Sequence, residues 1–195
     1  MRGPSDKPSL RLFVAAPLWG AFREEALPRY EALRRQGWPV KWVRPENWHI
    51  TLKFLGEIPS SKLEALKASL EAAVKDAPPF RMVLEGLGGF PRLSRARVLW
   101  VGVGEGRQSL VELAAKVHRA CVEAGCPGDR KGFQAHLTLA RAKAEPVSVR
   151  VSPDLYRAVW GALLVESIHL VKSVLAPGGS VYESVGEFFL KGRES

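Results

Sequence analysis

The sequence has 195 residues and is 46% hydrophobic, enough for one sizeable core or two small lobes. It has no run of about 20 apolar residues and opens on a polar stretch, so no membrane span or signal peptide is expected and a cytoplasmic protein is. A net charge of +9 with pI ≈ 9.9 favours a polyanionic partner, because phosphate charge dominates nucleic-acid affinity. Its two cysteines, Cys121 and Cys126, have no second pair with which to form a zinc ligand set and read as free thiols. One asparagine, two threonines, two methionines and fourteen prolines give the composition of a thermophile chain, poor in labile residues.

Residues 10–17 are nearly all apolar and predict a first strand with a central place in its sheet. Phe22, Ala26, Tyr30 and Leu33 then fall on one helical stripe that Gly37 ends, with Pro28 inside the run. Residues 40–43 lead through the turn-forming Arg44-Pro45-Glu46-Asn47 into a strand whose alternation puts His49, Thr51 and Lys53 on one face and Ile50, Leu52 and Phe54 on the other. Ser60 caps a second helix carrying Leu63, Leu66, Leu70 and Val74, and Pro78-Pro79 closes it. Residues 80–87 predict a strand. The loop 88–97 carries Arg92, Arg95 and Arg97 and reads equally as a basic lip for an RNA backbone or as a solvated connection.

Residues 98–103 predict the next strand and residues 109–124 a helix with Leu110, Leu113, Ala114, Val117 and Cys121 on its stripe and His118 beside it. A charged loop, 125–132, containing Asp129, Arg130 and Lys131, delivers the chain to a strand through His136 and Thr138. Residues 153–159 predict a short helix and 163–171 a strand whose His169 reads as structural or exposed. A turn at 176–179 and a strand over 181–190 complete a terminal hairpin.

Two runs stand out: Trp48-His49-Ile50-Thr51-Leu52 and Ala135-His136-Leu137-Thr138-Leu139. The chain has only two threonines, and each lies two positions after a histidine, on the same strand face. Leu12-Phe13-Val14 and Leu99-Trp100-Val101 each begin 37 positions before their histidine (49 − 12 and 136 − 99). An α+β chain can repeat strand and helix at similar spacing, but three features matched at one offset favour a duplicated unit over residues 10–57 and 97–144 of a single domain spanning 1–195. Two such units about an approximate two-fold would bring their histidine faces together across a cleft.

Two histidines can divide the work of general base and general acid near neutral pH, and a threonine hydroxyl beside each can donate to a phosphate oxygen as charge grows on it. No Asp/His cluster suited to a metal lies near either run, so no metal or other cofactor is expected. Trp48 and Phe133 read as core residues, while Trp42 and the arginine loop stay open as nucleotide contacts.

Residues 43–56, the run from His136 to Arg141 and residues 176–182 resemble the RNA 2′,3′-cyclic phosphodiesterases, also called 2′-5′ RNA ligases, of the two-histidine phosphoesterase superfamily. The resemblance implies an α+β, bilobal fold with two antiparallel sheets and flanking helices lining a cleft. It also implies metal-free hydrolysis of a terminal 2′,3′-cyclic phosphate to a 2′-phosphate, with His49 as proton donor, His136 as proton acceptor and Thr51 and Thr138 on the phosphate. The arginine after the second motif falls on Arg141, which the resemblance makes a further phosphate contact. Strand parity opposes that contact, since an odd separation from His136 turns Arg141 away unless a bulge intervenes. The expected substrate is RNA with cyclic phosphate ends, such as tRNA fragments, acted on by a monomer. The alternatives are 2′-5′ ligation at the same site and a non-catalytic module that binds RNA ends.

Overall fold

The computed structural model describes residues 8–128, 131–176 and 179–193. The polar opening at 1–7, Asp129 and Arg130 of the charged loop, and Pro177 and Gly178 of the expected turn lie outside the described residues.

Nine strands and four α-helices among these residues form two antiparallel sheets, as expected of an α+β fold. In the first sheet β3 (His49–Pro59), β1 (Ser9–Pro17), β8 (Ser167–Ala176) and β9 (Gly179–Phe189) lie side by side in that order. In the second the order is β2 (Val40–Trp42), β6 (His136–Ala142), β5 (Val98–Val103), β4 (Phe80–Phe90) and β7 (Val159–Val165). The alternation of β1 gives each face a separate role: Leu12, Val14 and Ala16 join the main core, while Phe13 and Ala15 form a small cluster with Val171 and Tyr182 on the opposite face.

Helix α1 (Ala21–Arg34) packs on β7 with Phe22, Ala26, Tyr30 and Leu33 buried, the predicted stripe. Helix α2 (Leu63–Val74) packs against α3 (Arg107–Glu123) and β9, and α3 also covers β3. The short α4 (Pro153–Tyr156) begins at Ser152, whose Oγ accepts from the Leu155 amide, and ends before Val159, which already belongs to β7. Ser60 makes no side-chain cap; a 3₁₀ turn over Ser60–Lys62 precedes α2 instead. No helix among the described residues is long and apolar enough to cross a membrane.

Two expectations are corrected. Gly88 and Gly89 are not loop residues but buried members of β4. They are glycine because of close approach, since a Cβ on Gly88 would sit 2.2 Å from the Trp100 ring and one on Gly89 3.0 Å from Ala96. The apolar stretch 163–171 is not one strand: the chain leaves the second sheet at Val165 and enters the first at Ser167, with exposed Glu166 between. Both strands are apolar, so hydropathy alone does not register the crossing.

One buried hydroxyl links α1 to the second sheet. Tyr30 Oη donates to the Val43 carbonyl at 2.7 Å, and the Val43 amide donates to the Leu139 carbonyl of β6 at 2.8 Å. Tyr30→Phe removes the first bond and leaves a shielded carbonyl unpaired. A loss of about 1–2 kcal/mol is expected from urea denaturation, and an unchanged midpoint would show that water replaces the hydroxyl.

Candidate functional site

His49 opens β3 and His136 opens β6, and both face one cavity of about 740 Å³. Each imidazole is tied to the backbone two residues before it: Nδ1 of His49 lies 2.7 Å from the Asn47 carbonyl, and Nδ1 of His136 lies 2.8 Å from the Gln134 carbonyl. A carbonyl only accepts, so Nδ1 carries the proton and Nε2 is left with its lone pair toward the cavity. Thr51 Oγ1 donates to that lone pair on His49 at 3.0 Å, and Thr138 lines the same space. The Asn47 carbonyl is itself fixed, because the 3₁₀ turn Pro45–Asn47 sets the backbone and Asn47 Nδ2 donates to the Ser180 carbonyl at 3.3 Å.

Aromatic rings hold both histidines. Phe13 and Tyr182 lie 5.0 and 5.4 Å from the His49 ring, and Phe90 lies 5.0 Å from that of His136. Among the described residues no group of three His, Cys, Asp or Glu side chains is placed to hold a metal ion. Besides the histidines, the polar side chains lining the cavity, among the described residues, are hydroxyls, amides and cations with no carboxylate, a set that suits an anion.

The bulge that parity required is present. Leu99 pairs with Ala140 and Trp100 with Thr138, which leaves Leu139 unmatched and turns Arg141 into the cavity. The same thing happens in β3, where Ala15 pairs with Thr51 and Val14 with Lys53, leaving Leu52 unmatched. The expected faces are therefore corrected beyond Leu52: Lys53, though buried, still lines the cavity as expected, while Phe54, expected on the opposite face, is exposed there too. Phe54 and Arg141 each stand five positions after their histidine, so the two bulges deliver a ring from one strand and a guanidinium from the other.

Other expectations resolve differently. Trp48 is buried against Phe22 and Tyr30, as expected of a core residue. Phe133 packs on the core yet also lines the cavity, a correction to its reading as core alone. Trp42 packs on Trp38 and Tyr30 and does not line the cavity, nor do Arg92, Arg95 and Arg97. His169 is buried between Ser184 and Ser167 with Glu187 3.3 Å away, a structural residue. Sequence reasoning missed Phe13, Phe54, Phe90 and Gln134; the equal spacing of Phe54 and Arg141 after the paired motifs is the signal that points to Phe54.

Residues 20–100 match the family described as LigT-like phosphoesterase. An RNA 2′,3′-cyclic phosphodiesterase of Aquifex aeolicus is 39% identical over 155 residues, covering 78% of this chain and 82% of that protein. Among solved structures, a Thermus thermophilus protein superposes with a TM-score of 0.80 at 33% identity, covering 95% of this chain and all of that one. Escherichia coli LigT complexed with 3′-AMP does so with a TM-score of 0.77 at 26% identity, covering 94% and 99%.

Burial sets the proton affinity of the site. It pushes the His49 pKa down from 6.5 to about 4; the Asn47 carbonyl opposes this, and His136 and Arg141 add to it. His136 is lowered too, first by burial and then by Arg141, against the pull of the Gln134 carbonyl. The folded chain thus keeps His49 neutral in a range where the unfolded chain binds a proton, so stability is full above pH 6.5 and is lost as pH falls toward about 4. His49→Gln lacks this loss. Its melting temperature relative to the parent should rise as pH is lowered through that window, and parallel curves would show that His49 titrates freely in the folded protein.

Proposed function

This chain belongs to the LigT-like phosphoesterase family, and we propose that its cavity opens the 2′,3′-cyclic phosphate end of an RNA by proton transfer between His136 and His49. The chain is a hydrolase of phosphoric diesters that acts on RNA. The observation that carries the mechanism is the pair of imidazoles in one cavity, each with Nδ1 committed to a backbone carbonyl, which leaves Nε2 as the nitrogen for proton transfer, and with a threonine two residues on.

In the proposed reaction His136 Nε2 takes a proton from water as the water oxygen bonds to phosphorus. The bond from phosphorus to O3′ breaks, and His49 Nε2–H gives its proton to O3′, leaving a 2′-phosphate. Thr51, Thr138 and Arg141 donate to the non-bridging oxygens. The assignment of donor and acceptor follows the family resemblance, whereas burial in the free protein disfavours the charged form that a donor at His49 needs. The two agree if the phosphodiester supplies the missing charge: an anion beside a buried imidazole favours its protonated form, so His49 becomes a donor when substrate arrives. The Thr51 hydroxyl then turns from Nε2 to the phosphate.

We read the two halves as copies of one unit within a single domain. The support is the shared order of strand, helix and motif strand and the bulge at the same step after each histidine, Leu52 and Leu139. One chain supplies both histidines and both threonines, which supports action as a monomer. The free thiols Cys121 and Cys126 suit a reducing cytoplasm, where RNA ends such as those of tRNA fragments are the proposed substrates.

His49→Ala and His136→Ala should each lower turnover of an oligoribonucleotide 2′,3′-cyclic phosphate by about 10²–10⁴-fold with an unchanged fold by circular dichroism. Full turnover in either would remove that histidine from the reaction. EDTA should leave the rate unaltered, and a loss restored by a divalent cation would overturn the metal-free mechanism. Roles are separable with sulfur in place of O3′: a thiol is far more acidic than an alcohol, so the leaving thiolate hardly needs a proton. That substrate should partly rescue His49→Ala and not His136→Ala; the opposite pattern would reverse the assignment.

A further inference from the structure

Beside the catalytic cavity lies a second one of about 730 Å³, within the usual size of a small-molecule site. The two share Phe90, Phe133, Gln134 and His136 in their walls, so they are contiguous on the His136 side. The register of the second sheet forms the floor. His136 of β6 pairs with Gly102 of β5, which lies beside Glu85 of β4, so one row runs outward from the histidine to the carboxylate with a glycine between them. A Cβ on Gly102 would stand 3.1 Å from the Glu85 carbonyl and 3.3 Å from Trp100, and its absence leaves a flat bed of backbone. Trp100 lies along one wall, and Tyr156, 46% exposed, along another.

Arg107 and Arg157 also line this cavity, with Glu85 the only acidic residue lining it. Among the described residues none of these three side chains has a hydrogen bond or ion pair, so the folded chain does not use them. Two cations against one anion leave a net positive wall. Unpaired arginines, aromatic faces and a bare glycine floor next to a phosphate-handling centre match a nucleotide: a flat base to stack and a phosphodiester to pair.

We propose that this second cavity is a subsite for one further nucleotide of the RNA, the penultimate residue of the strand whose cyclic end occupies the catalytic cavity. The base lies over Gly102 against Trp100 and Tyr156, and Arg157 and Arg107 take the phosphodiester that joins it to the terminal nucleotide. The proposal rests on the phosphoesterase reading of the neighbouring cavity and adds to it: the enzyme recognises an RNA strand and not merely a cyclic nucleotide.

The test compares adenosine 2′,3′-cyclic monophosphate with diadenosine ending in a 2′,3′-cyclic phosphate on the intact protein. Stacking one base is worth about 1–3 kcal/mol, so kcat/KM should favour the dinucleotide by about tenfold or more, mainly through KM. Tyr156→Ala and Arg157→Ala, both at exposed positions, should erase that preference and leave the mononucleotide rate unchanged. Equal rates on the two substrates, or variants that slow both alike, would overturn the subsite. Titration calorimetry with the 2′-phosphorylated mono- and dinucleotide products separates the two readings. If neither cyclic substrate is hydrolysed but the dinucleotide product binds more tightly than the mononucleotide and loses that advantage in Arg157→Ala, the activity falls and the subsite stands. If the products bind alike, the subsite falls whatever the activity.

Discussion

Everything at the site depends on one bond made twice, from imidazole Nδ1 to the carbonyl two residues earlier in the chain. It selects the tautomer and turns Nε2 toward the cavity, and the flanking aromatic rings complete the hold on each imidazole. The carbonyl must then be as rigid as the ring. For His49 that rigidity is built up in layers: Pro45 sets the 3₁₀ turn, Asn47 is tied to Ser180 on β9, and Trp48 is sunk into the core beside Tyr30. The Tyr30 hydroxyl reaches Val43, whose amide in turn reaches β6, so the two histidine strands are referenced to each other through the core.

The regular parts of this arrangement were legible in the sequence. The helix stripe of Phe22, Ala26, Tyr30 and Leu33, the buried Trp48 and the pairing of His and Thr on one face are all consequences of a fixed period. What was not legible is where the period breaks. A bulge adds one residue without changing composition, so Phe54 reaches the cavity with no mark in the sequence, and Arg141 reads as facing away when it faces in. The glycines of β4 misled for a related reason: Gly88 resembles a turn residue, yet it is small because Trp100 lies on it. The break at Glu166 is a change of sheet between two apolar strands, a tertiary event with no local signature.

Charge acts here at two ranges. The chain as a whole is strongly basic, which draws RNA from a distance in proportion to how little salt screens it. Inside the cavity the walls are Phe13, Phe54 and Phe90, and the same interaction counts for more in an environment from which water is partly removed. The depressed His49 pKa expresses that environment. Where burial disfavours a positive charge in this way, proton uptake by the imidazole and binding of an anion are coupled, each favouring the other.

The bulges in β3 also affect how copies of the protein meet. This strand is the outermost of its sheet, and an outermost strand presents unpaired amides and carbonyls on which another chain can add. Regular spacing is what such an addition needs. With Leu52 and Leu55 both unmatched within the same strand, the repeat is interrupted twice, so an incoming strand finds no ladder long enough to extend. The irregularity that brings Phe54 to the cavity thereby also works against edge-to-edge pairing, so straightening the strand to improve the sheet would undo both effects.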